Sequence, residues 1–272
     1  MLTLLTYLLI LWAVIALGCL VAWWLGKRRG EATTGEFSDA VLLTAFVFGL
    51  LLGLLQVFVT NHYSDARSQA QTEATALTAM YDDLSAFPPQ VRTPARLDLV
   101  CYMQSVAQQD WTAQERGDAR EAADTVVRND RLRGLRDTLP QDSPATMAAA
   151  QRVAMDVGDA GAARQQLLFL AQPQIPTVLW ALVFVSAAVL MYLIVSEFKS
   201  RRKIIARAVL ISVIVLLTVE IGSLVALDHP FSPVARIRPD AITRSITLLE
   251  TGRHINLRDC GPPLPLSADV AP

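Results

Sequence analysis

In a chain of 272 residues, Glu220 stands deep inside an apolar stretch, residues 204–227, that is otherwise nearly free of charge, and such a residue is where chemistry would first be sought. An acid at that depth costs about 2.5–3.5 kcal/mol on insertion scales, so it faces a helix-bundle interior or water. Opposite Gln56 of an earlier apolar stretch, it would be an ion or proton position. Protonated and hydrogen-bonded to a neighbouring helix, or hydrated about two turns from Asp228, it would be structural instead. Asp228 and His229 offer a second candidate. They form either a titrating pair at a membrane surface, or a brace in which Asp228 caps a turn while Pro230 and Phe231 pack it down. Gly49 and Gly53, four apart, let helix backbones approach closely, in ordinary packing or in an assembly. Cys101 and Cys260 either pair in an oxidising compartment or stay as two thiols. His62 and Asp65 share helical spacing, but two ligands do not make a metal site, and no metal is expected. The chain has no phosphate loop, nucleophile elbow, HExxH or CxxC, so neither an enzyme nor a cofactor is expected.

The elements that position these residues follow from the distribution of charge. The chain is 53% hydrophobic and 18% charged with a net charge of -1, and charge is almost confined to the segments between four apolar blocks. This near-neutral balance, without a basic cluster interleaved with aromatics, excludes a nucleic-acid partner. Three scattered cysteines, Cys19 among them, make no zinc site or disulfide framework. A helix crossing a hydrocarbon core of about 30 Å needs roughly 20 apolar residues. Residues 2–25, 40–60, 175–196 and 204–227 meet this requirement, with Trp23 and Trp24 at one interface and Arg207 near the start of the last block. The first block lacks the positive leader and short apolar core of a secretory signal, and a retained helix is expected.

Sidedness follows from basic residues in short loops. All lysines lie in two of them, Gly26-Lys27-Arg28-Arg29-Gly30 and Lys199-Ser200-Arg201-Arg202-Lys203. Both loops are therefore expected in the cytoplasm, with both termini and the central segment outside a bacterial cytoplasmic (inner) membrane. The expected class is all-α: a polytopic membrane protein with four transmembrane helices and a helical extramembrane domain between the second and third.

The organisation reads as residues 1–60 for two crossings, 61–174 for the helical domain, 175–227 for two more crossings, 228–260 for a membrane-surface turn and short helix, and 261–272 for a disordered tail with several prolines. The second crossing continues past Asn61 without a breaker until Pro88-Pro89, so it is expected to leave the membrane as a stalk. Thr93-Pro94 and Ser143-Pro144 read as helix starts, and Asp118 with Glu121 has the form of a capping box. Ile242, Ile246 and Leu249 recur as one face of a short helix. The thin Ala- and Arg-rich core favours packing against copies of the same chain.

Tyr63-Ser64-Asp65-Ala66, Glu73-Ala74, Met80-Tyr81, Tyr102, Asp110-Trp111, Pro176, Leu179-Trp180 and above all the Asp-x-Pro-Phe-Ser turn at 228–232 resemble a bacterial family described as bestrophin-like, over roughly residues 37–250. The family's turn has Arg where His229 stands and Gly where Pro233 stands, so an anion contact or backbone freedom there is not carried over. True bestrophins are pentameric anion channels whose second-span helices line the pore with apolar side chains. The resemblance therefore implies an oligomeric anion channel, with Phe46 and Phe48 as constriction candidates and Gly49 and Gly53 permitting close packing. It also implies a cytosolic helical domain, whereas the loop charges place the domain outside; the charges belong to this chain and are followed.

Two functions remain. One is a homo-oligomeric channel with membrane lipid and small anions as partners; the other is a membrane-anchored sensor or scaffold whose helical domain binds a partner outside. A secondary transporter is weaker, because neither paired broken helices nor an internal repeat is present.

Overall fold

The computed structural model describes residues 2–28, 36–116, 120–197, 203–231, 234–253 and 260. Several expectations fall outside them: Arg29 and Gly30 of the first basic loop, Lys199–Arg202 of the second, Asp118, Ser232, Pro233 and the 261–272 tail. The side chains of Cys19, Trp23, Trp24 and Arg207 also lie outside what is described.

All regular elements among the described residues are helical. The helices are α1 (Leu2–Arg28), α2 (Glu36–Asp83), α3 (Pro89–Ser105), α4 (Trp111–Glu115), α5 (Ala123–Thr138), α6 (Pro144–Leu170), α7 (Thr177–Glu197), α8 (Lys203–Asp228) and α9 (Asp240–Arg253). Three of them, α2, α7 and α8, are long and apolar enough to cross a membrane, while the apolar stretch described within α1 runs Leu5–Gly18. As expected from the missing breaker, α2 is one helix of 48 residues, about 72 Å at 1.5 Å per residue.

The chain divides into two compact units, Met1–Tyr63 with Pro173–His229, and Ser64–Gln172 with Pro230–Pro272. In the first, α1 packs against α7 and α8. Phe48, Leu52, Leu55 and Val59 of α2 join Leu11, Ile15, Val183, Met191, Ile221 and Leu224 in one buried apolar cluster. Their spacing of four, three and four residues keeps them on one side of α2. Tyr7 meets Trp180 with ring centroids 4.6 Å apart, and Phe184 stacks beside both. Lipid tails are as apolar as leucine, so this bundle is held by close van der Waals fit rather than by escape from water. Gly18 shows how close the fit is: a Cβ there would lie 3.1 Å from the Ala188 carbonyl oxygen.

In the second unit, α3 packs on α5 and α9, and α5 on α6. Ser143 and Thr146 form the capping box that opens α6, so the Ser143-Pro144 signal marks a true start. The other two expected starts are displaced. Helix α3 begins at Pro89, because the extended Pro88 followed by proline at the first helical position already starts it, and Pro94 sits inside. Arg96 secures this end by donating from Nε and Nη2 to the Tyr81 carbonyl at 3.1 and 2.9 Å. Helix α5 begins at Ala123 behind Ala122, whose own side chain can cap nothing. Its cap comes from elsewhere, as described below. Helix α9 buries Ile242, Ile246 and Leu249, the face expected of it.

Candidate functional site

Helix α2 has two unlike sides in the first unit. Phe48 is 3% exposed within the cluster, whereas Phe46, two residues earlier, is 68% exposed. Leu42, Leu50, Leu54 and Val57 share the uncovered side with Phe46. Gly49 and Gly53 lie there too, and an added Cβ at either would meet nothing within 4 Å. The two phenylalanines grouped as constriction candidates are thus separated by half a turn, since successive residues advance about 100° around a helix. Of the two, Phe46 is on the side left open among the described residues.

Gln56 and Glu220 are not brought together as a pair. Gln56 Oε1 accepts from Ser223 Oγ at 3.2 Å, and that hydroxyl also lies 2.8 Å from the Glu220 carbonyl oxygen. Ser223, one turn beyond Glu220 on the same side of α8, is the side chain that meets Gln56. Asp228 is buried, and its Oδ1 accepts from the Gln174 and Ile175 backbone N–H groups at 2.9 and 3.1 Å. It therefore braces the loop that leads into α7. His229 Nδ1 lies 3.1 Å from the Val225 carbonyl oxygen, satisfied within its own helix end. In the second unit, Pro230 accepts from the Ile237 N–H, and Phe231 packs edge-on against Trp111 with centroids 5.8 Å apart. Trp111 Nε1 donates to the Ile237 carbonyl at 3.0 Å, locking that turn. His62 is buried and Asp65 is exposed, and among the described residues no group of three His, Cys, Asp or Glu could hold a metal.

The most concentrated chemistry lies in the second unit. Arg164 of α6 is 1% exposed and sits among Glu73 of α2, Asp110 and Glu121. Its Nη2 is hydrogen-bonded to Asp110 Oδ2, its Nε lies 3.3 Å from Glu121 Oε1, and its Nη1 lies 3.8 Å from Glu73 Oε2. Tyr102 Oη donates to Glu73 Oε1 at 3.3 Å. Asp110 closes a single π turn, Val106–Asp110, between α3 and α4. Its Oδ1 accepts from the Ala122 N–H at 2.7 Å and from Thr125 Oγ1 at 3.0 Å, and Thr125 is 2.7 Å from Ser105 Oγ. Asp110 thus caps α5 with one oxygen and pairs Arg164 with the other.

Burial dominates the acidities here. It pushes the Glu73 carboxyl up to about 7 against the pull of Arg164 and the Tyr102 hydroxyl, with Asp110 and Glu121 adding to the rise. Burial also raises Asp110, opposed by Arg164 and by its two hydrogen-bond donors, and raises the Tyr102 phenol. For Arg164 burial works against the charge, but Glu73 and Asp110 overrule it and hold the guanidinium more firmly protonated than usual. One buried cation is balanced by the acids around it, and one of those acids exchanges its proton near neutral pH.

Cys101 and Cys260 are joined by a disulfide, Cα–Cα 5.3 Å, across 159 residues of chain. Arg128 supports the same arm by donating to Asp124 Oδ2 at 2.8 Å and to the Cys260 carbonyl at 3.0 Å.

A model of the bestrophin-like domain matches residues 7–242. Crystal structures of two variants of a bacterial bestrophin homologue from Klebsiella pneumoniae superpose on the chain. The first has a TM-score of 0.63 at 14% identity, covering 92% of this chain and 99% of that one. The second has a TM-score of 0.59 at 16% identity, covering 92% and 98%. The crystal structure of a membrane protein superposes with a TM-score of 0.62 at 14% identity, covering 92% and 99%. At such identities the likeness is one of fold. No curated protein matches the chain.

Proposed function

The chain belongs to the bestrophin-like family, and on that premise we propose that it is a homo-oligomeric anion channel with α2 lining the conduit. The observation that carries this reading is the uncovered apolar side of α2, where Phe46 is largely exposed and a Cβ at Gly49 or Gly53 would meet nothing among the described residues. Copies arranged around an axis would cover that side, with the glycines admitting close approach and Phe46 forming a hydrophobic constriction that gates by dewetting. Phe48 is committed to its own bundle and has a packing role. Gln56 and Glu220 flank Ser223 on α2 and α8 and supply the polar content of an otherwise apolar wall. Small anions and membrane lipid are the partners, and the chain is no enzyme.

On this reading α1 is the fourth crossing of a bacterial inner membrane. The helical domain and both termini face outward. The lysine-bearing loops support that sidedness, and so does the Cys101–Cys260 disulfide, since such bonds persist in oxidising compartments.

Planar-bilayer recording of the purified protein, together with its mass in detergent, tests the proposal. A symmetric oligomer with an anion-selective conductance is expected; a monomer without conductance above background would sink it. A second reading, a membrane-anchored sensor, draws on the buried Glu73–Arg164 cluster, whose acid titrates near neutral pH. It requires a pH-dependent change in the domain and no current.

A further inference from the structure

Helix α6 carries two grooves of opposite charge on its two flanks. On one flank, Arg133 and Arg136 of α5 overhang Ala154, Gly158, Gly161 and Ala162 of α6. Arg133 Nη2 would lie 3.7 Å from a Cβ at Gly161, whereas a Cβ at Gly158 would meet nothing within 4 Å. This floor is thus low and open beneath two guanidinium groups. Among the described residues Arg133 has no ion-pair partner, and Arg136 has only the exposed Asp137 at 3.9 Å. On the other flank, Asp156 and Asp159 of α6 face Ser68, Thr72 and Thr75 of α2. At about 100° per residue, Asp156 and Asp159 point roughly opposite to Ala154, Gly158 and Gly161.

Among the described residues no lysine or arginine lines the acidic groove. Arg152, one turn before Asp156, is paired with Asp83 at 2.8 Å. Partial burial first, then Asp83 and Asp159, push the Asp156 carboxyl up to about 6 against the pull of Arg152, and its buried Oδ2 has no hydrogen-bond partner among the described residues. A guanidinium at the groove mouth, beside the exposed Asp159, would lower the negative potential that both carboxyls share. A net charge of -1 gives the chain no general demand for a partner of one sign. The two grooves are instead complementary to each other, and they cannot meet within one copy because α6 stands between them.

We propose that the basic α5–α6 groove of one subunit receives the acidic α2–α6 groove of a second copy, giving a head-to-tail interface within the helical domain. It rests on the oligomeric reading above and specifies its contact. Exposed ion pairs contribute little singly, so the fit depends on the small residues of α6 admitting the neighbouring helices as well as on charge. Two different surfaces meeting head to tail generate a ring where the rotation closes, and in a ring every subunit uses both grooves once.

The test uses full-length protein in detergent, with Cys19→Ser as background so that the remaining native cysteines are the disulfide pair. Two differently tagged chains are co-expressed, one with Arg133→Cys and the other with Asp159→Cys, and treated with a short bis-maleimide. A cross-linked dimer carrying both tags is expected, and none from either variant expressed alone. In parallel, Arg133→Glu with Arg136→Glu should reduce the oligomer fraction at least tenfold, and adding Asp156→Arg with Asp159→Arg should restore it, which also shows that the altered chain folds. An oligomer that resists the charge reversal and gives no mixed-tag product assembles elsewhere: the interface is then wrong while the channel reading stands. Cross-linking within one variant alone would mean a two-fold contact and would overturn it as well. Wild-type protein that is monomeric and silent in the bilayer would remove the channel reading and the interface together.

Discussion

Replacing Glu73 by Gln keeps its shape and removes its proton exchange, and the domain should respond through the pH dependence of its stability. The Glu73 carboxyl lies at about 7 in the folded domain against an ordinary 4.5, because burial disfavours its charge more than Arg164 and Tyr102 favour it. Between these values the folded state holds a proton that the unfolded chain has released, so stability falls as pH rises. The stabilising contribution is complete below about pH 4.5 and gone above about pH 7. An interval of about 2.5 pH units at about 1.4 kcal/mol per unit gives about 3.5 kcal/mol lost across that window. For a domain of this size that corresponds to a midpoint shift on the order of 10 °C. Near-UV circular dichroism of the oxidised protein in detergent, melted at pH 5, 6, 7 and 8, would read it. The measured quantity is the difference between the two slopes, since the other carboxylates contribute equally to both proteins. Glu73→Gln should flatten the fall, leaving the variant close to wild type at pH 5 and more stable at pH 8. Parallel slopes for the two proteins would refute the assignment, as would a variant that is the less stable at pH 8.

Arg164→Met strands Asp110 and Glu121 without their cation and should cost about 3–5 kcal/mol in the same melts, far more than Glu73→Gln; a cost below about 1 kcal/mol would mean the cluster is not held by this arginine. Gly18→Leu drives side-chain atoms into the Ala188 backbone and should destabilise the protein by about 1–3 kcal/mol, whereas Gly49→Leu meets open space and should leave the single chain's stability unchanged while altering oligomer mass or conductance. Cys260→Ser should lower the stability of the helical domain by about 2–5 kcal/mol. After mild reduction of intact cells, an impermeant maleimide should label Cys260, and labelling that requires lysis would reverse the proposed sidedness.

The apolar crossings were legible because lipid permits few solutions: roughly 20 consecutive apolar residues can hardly serve otherwise. The buried face of α9 and the Ser143 cap were legible because each signal is local: Ile242, Ile246 and Leu249 repeat within two turns, and Thr146 lies one turn from Ser143. Signals that join distant segments were not. Thr93-Pro94 looks as good a helix start as Pro88-Pro89, and nothing local says that the earlier pair has already been used. The expected Asp118–Glu121 cap gave way to Asp110, which reaches α5 only after the π turn has rotated it inward. The ionic cluster did leave a trace. Ala66, Ala70, Glu73, Leu77 and Met80 recur at four, three, four and three residues, so an acid sits on the buried stripe of α2. Val153, Ala160, Arg164 and Leu167 place an arginine likewise on that of α6. An opposite charge on each of two apolar stripes is a legible hint of a buried pair. The identity of the partners is a tertiary fact.

The borrowed cap of α5 also sets an order of events as the chain is made. A helix of 16 residues containing Gly134, with no capping side chain of its own, is marginal in isolation, and a peptide of residues 123–138 should be largely unstructured in water. Asp110 is synthesised before α5, so the group that starts the helix already waits when residues 122–125 emerge. Arg164 arrives later and neutralises the acid that has done the starting, and Cys260 comes after everything it ties down. Along the chain the cap thus precedes the helix it completes, the arginine that neutralises the cap follows, and the cysteine that closes the domain comes after both.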